Sequence, residues 1–186
     1  MNAQSTAPKE MATATPKEMA TAAPKAMATA APKAAQTSPS ISESNLAVLG
    51  FGAKFALRDT NLTLEKMLRY AIQDEFLEHA EYAYILKTFG DQRPFNNIIQ
   101  EEEKHISLLK PLFESRKLAI PQDNSSEFLM KPRDLDLIFQ AAVQAEIENI
   151  EMYDMFLEKE LPEDVKAVFT ELVKGSRNHL ATFKKK

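Results

Sequence analysis

The chain has 186 residues, with 23 Lys and Arg against 27 Asp and Glu, and it contains neither Cys nor Trp. Zero cysteine excludes disulfides, thiolate zinc sites, cysteine-ligated iron–sulfur clusters and cysteine nucleophiles. Charge is unevenly spread: residues 1–57 hold five Lys and three Glu, so the remaining 129 residues carry 18 basic and 24 acidic groups. An acidic domain of this kind argues against nucleic acid as a partner, because phosphate binding needs a basic face.

The length suits one domain with an appendage. No apolar run reaches the roughly 18–20 residues that span a bilayer. The N-terminus has no continuous apolar stretch of the secretory type, so a cytoplasmic location is expected.

The appendage comes first. Pro8–Thr15 recurs as Pro16–Ala23 and Pro24–Ala31, and begins again at Pro32, a repeat of eight. No Leu, Ile, Val or aromatic residue precedes Ile41. Such a segment cannot bury enough apolar surface to offset an ordering entropy of about 1–2 kcal/mol per residue. Proline every eighth residue also interrupts any long helix. Residues 1–40 are therefore expected to be a disordered tether, able to dock an unknown protein partner. Residues 41–61 form a lead-in. Its apolar residues (Ile41, Leu46, Val48, Leu49, Phe51, Phe55, Leu57) show no clean period.

Residues 62–186 read as four long helices. The first runs from Leu64 to about Phe89, with Thr63 as N-cap and Gly90 as stop. The second starts near Pro94 and reaches about Lys117, with Pro111 expected to kink it or end its regular part. A loop rich in Pro, Asn and Ser covers about 118–132. The third helix runs from about Arg133 to Glu160, and the fourth from Pro162 to about Phe183. Short links at Gly90–Arg93 and Leu161–Glu163 imply two antiparallel hairpins, joined across one end or along the side. The expected fold is an all-α antiparallel four-helix bundle.

The inward seams follow the three-four alternation of facing helices. They read Leu68, Ile72, Glu75, His79, Tyr82, Leu86, Phe89 on the first helix and Phe95, Ile98, Glu102, His105, Leu109, Leu112 on the second. The third gives Phe139, Ala142, Glu146, Asn149, Tyr153, Leu157. The fourth gives Val165, Val168, Leu172, Ser176, His179, Phe183. Every seam is apolar at its ends and polar in its middle. Measured from the hairpin turn, Glu75 lies 14 residues back and Glu102 and His105 lie 8 and 11 on. At 1.5 Å per residue that leaves mismatches of about 5–9 Å, within reach of Glu side chains and a shared ion.

Buried carboxylates need a counter-charge, since each unpaired one costs several kcal/mol. Glu75, Glu102, His105, Glu146 and His179 are the candidate ligands. Carboxylate oxygen with imidazole nitrogen suits iron or manganese, and zinc can substitute. A metal-free polar network, in which the same groups satisfy one another, is the alternative. Tyr82 and Tyr153 are expected to bond carboxylates through their hydroxyls, and His79 to stand behind the ligands. Glu78, Glu81, Glu101, Glu103, Glu148 and Glu151 are read as solvated faces or helical pairs. Ser176 and His179 are one turn apart, but no Gly-x-Ser-x-Gly elbow surrounds them, so a serine hydrolase is not supported.

These motifs resemble the ferritin-like superfamily, whose members place one Glu on each of two helices and Glu-x-x-His on each of the other two. Glu102-Glu-Lys-His105 matches Glu-x-x-His. Glu75 and Glu146 are each followed by Tyr seven residues later, as in rubrerythrin-like proteins. Ser176-Arg-Asn-His179-Leu resembles the last helix of a less characterised ferritin-like family. The resemblance covers about residues 62–183 and implies a carboxylate-bridged di-iron protein oxidising Fe(II) with O2 or peroxide. Two departures stand out: Ser176 occupies the position of the second bridging Glu, and Asn149 that of an extra Glu of rubrerythrins. A looser metal pair, a single metal and a lapsed site all stay open. With no Cys, a rubredoxin-type relay is missing and any reductant is external. The resemblance leaves a homo-oligomer open as well. The competing reading is a metal-poor scaffold tied to a larger assembly by its repeats.

Overall fold

The structure is a computed structural model that describes residues 51–185. The chain divides into two units, Met1–Ser38 and Pro39–Lys186, and every described residue belongs to the second. The expected tether over 1–40, and the lead-in as far as residue 50, lie outside the described residues. Among the described residues there are five α-helices, one 3-10 turn and no strand.

The helices are α1 (Gly52–Ala56), α2 (Leu64–Phe89), α3 (Phe95–Ser115), α4 (Leu135–Leu157) and α5 (Glu163–Phe183), with the 3-10 turn at Ser125–Glu127. Their ends have local causes. Thr63 Oγ1 accepts from Lys66 N at 3.3 Å and starts α2. Gly90, at φ +79°, ends it with its N–H donated to Leu86 O, a conformation side chains resist. Asp134 Oδ1 accepts from Asp136 N and Leu137 N to start α4. Pro162 precedes α5, whose first turn carries Glu163 and Asp164 against the positive end of the helix. Pro111 does not end α3. Four further residues stay helical because Leu112 and Phe113 are anchored in the core.

Helices α2 and α3 form one antiparallel hairpin, and α4 and α5 the other. Phe95 and Phe139 pack with ring centroids 5.1 Å apart, so α3 and α4 begin at the same end of the bundle. At the opposite end Arg116, just past α3, donates to Asp164 at the start of α5 over 2.7 Å. The connection between the hairpins therefore runs along the side. Its 3-10 turn packs on α2, as does α1. This extra cover leaves Met67–Phe76 buried around the whole circumference of α2.

The core falls into two apolar clusters. One gathers residues such as Leu68, Ile72, Leu109, Phe156 and Phe169. The other gathers Tyr82, Phe95, Ile98, Ala142 and Phe183. A layer of buried polar groups separates them.

Candidate metal centre

Four helices meet in that layer. Glu75, Glu102 and Glu146 are fully buried, and His105 and His179 nearly so. His105 Nδ1 lies 3.0 Å from Glu75 Oε2 and 2.9 Å from Glu102 Oε2. His179 Nδ1 lies 3.1 Å from Glu102 Oε1 and 3.2 Å from Glu146 Oε1. Glu102 thus stands between the imidazoles, one oxygen toward each, and the rings stack with centroids 5.6 Å apart. Two triads result, Glu75–Glu102–His105 and Glu102–Glu146–His179. In each, one donor atom per residue lies within 4.8 Å of the others. The shared carboxylate follows from helical geometry: Glu102 and His105, three residues apart, emerge from one face of α3.

The tyrosines cross the layer. Tyr82 on α2 donates to Glu146 on α4 over 2.9 Å, and Tyr153 on α4 donates to Glu75 on α2 over 2.6 Å. Each carboxylate is thereby oriented from the facing helix. A third chain of bonds ties four elements. Ala53 N donates to Asp74 Oδ1 at 2.7 Å, and Asn149 Nδ2 donates to Asp74 Oδ2 at 2.9 Å. Ser176 Oγ in turn donates to Asn149 Oδ1 at 2.6 Å.

Burial and mutual charge set the protonation. Burial opposes the charged ring of His105, but Glu75 and Glu102 raise it to about 11. Glu102 and Glu146 likewise raise His179 to about 10 against the cost of its burial. Burial also opposes ionisation of Glu102, yet both imidazoles outweigh it and hold its carboxyl down to about 2. Glu146 is pushed up to about 7, burial winning over the pull of His179. Burial pushes Asp74 up to about 8, and raises Glu75 as well. The satisfaction is incomplete. Glu102 Oε1, Glu146 Oε2 and His179 Nδ1 have no aligned hydrogen-bond partner, although His179 sits within ion-pair distance of both carboxylates.

Of the residues singled out in the sequence, Glu75, Glu102, His105, Glu146 and His179 come together at one height. Tyr82 and Tyr153 touch the carboxylates directly. Asn149 and Ser176 lie in the adjoining bonded chain through Asp74. His79 is not brought in: it is partly exposed and faces Glu103 at 3.5 Å. Its place on the inward face belongs to Glu78, expected in solvent but only 3 % exposed. Positions 78 and 79 lie three and four residues after Glu75, so the three-four alternation admits either. The covering of α2 by α1 and the side connection decides it.

Three contributors were not visible as motifs. Asp74 is read only from its bonds. Gly52, at φ +64°, lets the backbone close on Asp74, whose carboxylate a Cβ would strike. Gly175 on α5 makes room for the imidazole of His105, since a Cβ there would come within 2.5 Å of Nε2. A small residue one position before the polar Ser176 is the only signal of the last.

A four-helix bundle whose mid-layer holds carboxylates and imidazoles from all four helices defines the ferritin-like class. The rubrerythrin family model matches residues 66–186, and the chain belongs to that family. Protein MJ0754 of Methanocaldococcus jannaschii, itself uncharacterised, is 30% identical over 104 residues. That match covers 48% of this chain and 56% of the relative, so the chain spans little more than half of its length. The crystal structure of MJ0754 superposes with a TM-score of 0.56 at 22% identity, covering 67% of this chain and 81% of the other. The hypothetical protein Pfu-1136390-001 of Pyrococcus furiosus gives a TM-score of 0.56 at 19% identity, covering 73% and 93%. At these identities the two structures support the fold alone.

Proposed function

We propose that this chain is a non-haem carboxylate-type metalloprotein that oxidises Fe(II) with O2 or peroxide, in iron handling or oxidative-stress defence. The single observation behind this is the pair of triads sharing Glu102. The donor set fits the group. It offers three carboxylates and two imidazoles, the mixture that iron and manganese favour and zinc accepts. Glu102, Glu146 and His179 also present buried atoms that the protein itself leaves unbonded. Glu75, Glu102 and His105 would hold one ion, and Glu102, Glu146 and His179 the other.

Iron held there would supply one-electron chemistry toward O2 or peroxide. The chain's own groups do the rest. Tyr82 and Tyr153 fix the rotamers of Glu146 and Glu75. The two apolar clusters keep bulk water from the layer. Protons held by the raised carboxyls and imidazoles leave when a cation enters, so binding is coupled to proton release. With no cysteine in the sequence, electrons come from an external partner. No helix among the described residues is long and apolar enough to cross a membrane, and we place the activity in the cytoplasm.

A metal-poor scaffold is the second reading, with residues 1–40 as its tether. The engagement of Ser176 with Asn149 favours it, because position 176 then offers no ligand. Metal analysis after aerobic purification from iron-supplied cells separates the two. About two irons per chain, lost in Glu102→Ala, support the first reading. Less than about 0.2 of any transition metal per chain leaves the scaffold standing.

A further inference from the structure

Glu78 is the one acid of the layer with no bond at all. It is 3 % exposed, and neither carboxylate oxygen has a hydrogen-bond partner. Asp74, one turn away, has both oxygens engaged. Burial, and then the neighbouring acids Glu146, Glu102, Asp74 and Glu75, oppose ionisation of Glu78. On its other side it borders a cavity of about 250 Å³ walled by Phe51, Leu77, Phe128 and Met130. Phe51 and Phe128 stack across that wall at 4.3 Å. Among the described residues, Lys54 is the one basic residue lining the cavity, and it acts on Glu81. A carboxyl enclosed in this way is relieved by a proton or by a cation, and among the described residues no basic side chain pairs with it.

Two divalent ions carry four positive charges, and Glu75, Glu102 and Glu146 answer three of them. Position 176, which in the ferritin-like pattern carries the fourth carboxylate, is here a serine committed to Asn149. The cavity beside Glu78 leaves its side chain unpacked on that side.

We propose that Glu78 is a further metal-binding carboxylate, supplying from α2 the fourth negative charge that Ser176 cannot give. This rests on the metal-centre reading above and names a ligand that reading does not contain.

Equilibrium titration of the full chain with Mn(II), counting free ion by electron paramagnetic resonance, tests it. The wild type is expected to bind two Mn(II). Glu78→Gln, equal in size and neutral, weakens one of them about tenfold or more. Glu81→Gln, on the same cavity, leaves both within about twofold. Melting curves give the control for folding. Metal-free Glu78→Gln melts above the wild type, because an unpaired buried acid is gone, and gains less on adding Mn(II). Wild-type affinity for both ions in Glu78→Gln overturns this inference alone. Loss of both ions together with a lower metal-free melting point makes Glu78 a structural support and also overturns it. A wild type that takes up no Mn(II), Fe(II) or Zn(II) overturns the metal-centre reading and this one with it.

Discussion

The first hairpin, α2 and α3, brings four carboxylates to the central layer: Asp74, Glu75, Glu78 and Glu102. The second, α4 and α5, brings Glu146 alone. Otherwise the halves correspond. Glu75 and Glu146 are each followed by a tyrosine seven residues on, and each tyrosine bonds the other half's glutamate. His105 and His179 each lie three residues after a seam position, which is Glu102 in one half and Ser176 in the other. Three residues after the matched glutamates stand Glu78 in one half and Asn149 in the other. In the second half Ser176 donates to Asn149, which donates on to Asp74 of the first, while Glu146 Oε2 and His179 Nδ1 keep no aligned partner. The first half keeps charge that its own partners do not balance. Similar backbone geometry therefore carries a neutral Ser176–Asn149 pair on one side where the other carries two acids, Glu102 and Glu78.

The largest expected response is that of the metal-free protein to pH, since it sums over the layer. Asp74 and Glu146 have folded pKa values near 8 and 7, above the ordinary carboxyl value. The native state then holds protons that the unfolded state has lost, and stability falls as pH rises from about 4.5 through 7–8. His105 and His179, raised to about 11 and 10, favour the native state fully below about 6.5 and lose that contribution as pH rises through 10–11. Glu102, held low, contributes above about 4.5 and loses it only toward pH 2. Metal-free melting temperature should therefore drop steadily from pH 5 to pH 9. Asp74→Asn should flatten the curve more than Glu146→Gln. A curve flat or rising over that range would show that the charges of the first half are already balanced.

Next come the matched positions 102 and 176. Glu102→Ala strands both imidazoles without their shared partner and should cost the metal-free protein about 3–5 kcal/mol in denaturant unfolding. Ser176→Ala loses a neutral hydrogen bond and should cost about 1 kcal/mol. Equal costs would erase the distinction between the halves.

The crossed tyrosines should behave alike. Tyr82→Phe and Tyr153→Phe each remove a bond to a buried carboxyl, worth about 1.5–3 kcal/mol where the carboxyl is ionised. Their stabilities should differ by no more than about 0.5 kcal/mol. A one-sided loss would break the correspondence at its firmest point.

The smallest effect is expected at Gly175. Gly175→Ala pushes on His105 across the hairpins and should weaken Mn(II) binding about tenfold. Its metal-free stability should stay within about 1 kcal/mol of wild type, since alanine is the better helix former. Unchanged binding would show that His105 can give way without loss.

Much of this could be read in advance. Thr63, Gly90, Pro94 and Pro162 mark helix ends through their own backbone chemistry, within two or three residues. The apolar–polar–apolar seams and Glu102-x-x-His105 follow from 3.6 residues per turn, so the height of the central layer and its five glutamates and histidines at 75, 102, 105, 146 and 179 could be read as a group, but Asp74 and Glu78 could not. The exchange of tyrosine partners was not, because it depends on which helices face across the layer. The choice of Glu78 over His79 was also closed to sequence, as was the bond from Ala53 to Asp74, since both depend on what covers α2 from outside.

The linear order of residues determined the four long helices, their approximate ends and the stripe each one buries, because those follow from local backbone preference and periodicity; the short α1 was not legible. Only the packing of α1 and the side connection onto α2 decided that Asp74 and Glu78 lose their water as well. Burial of a charge is a property of everything around it, contributed here by residues far apart in the chain.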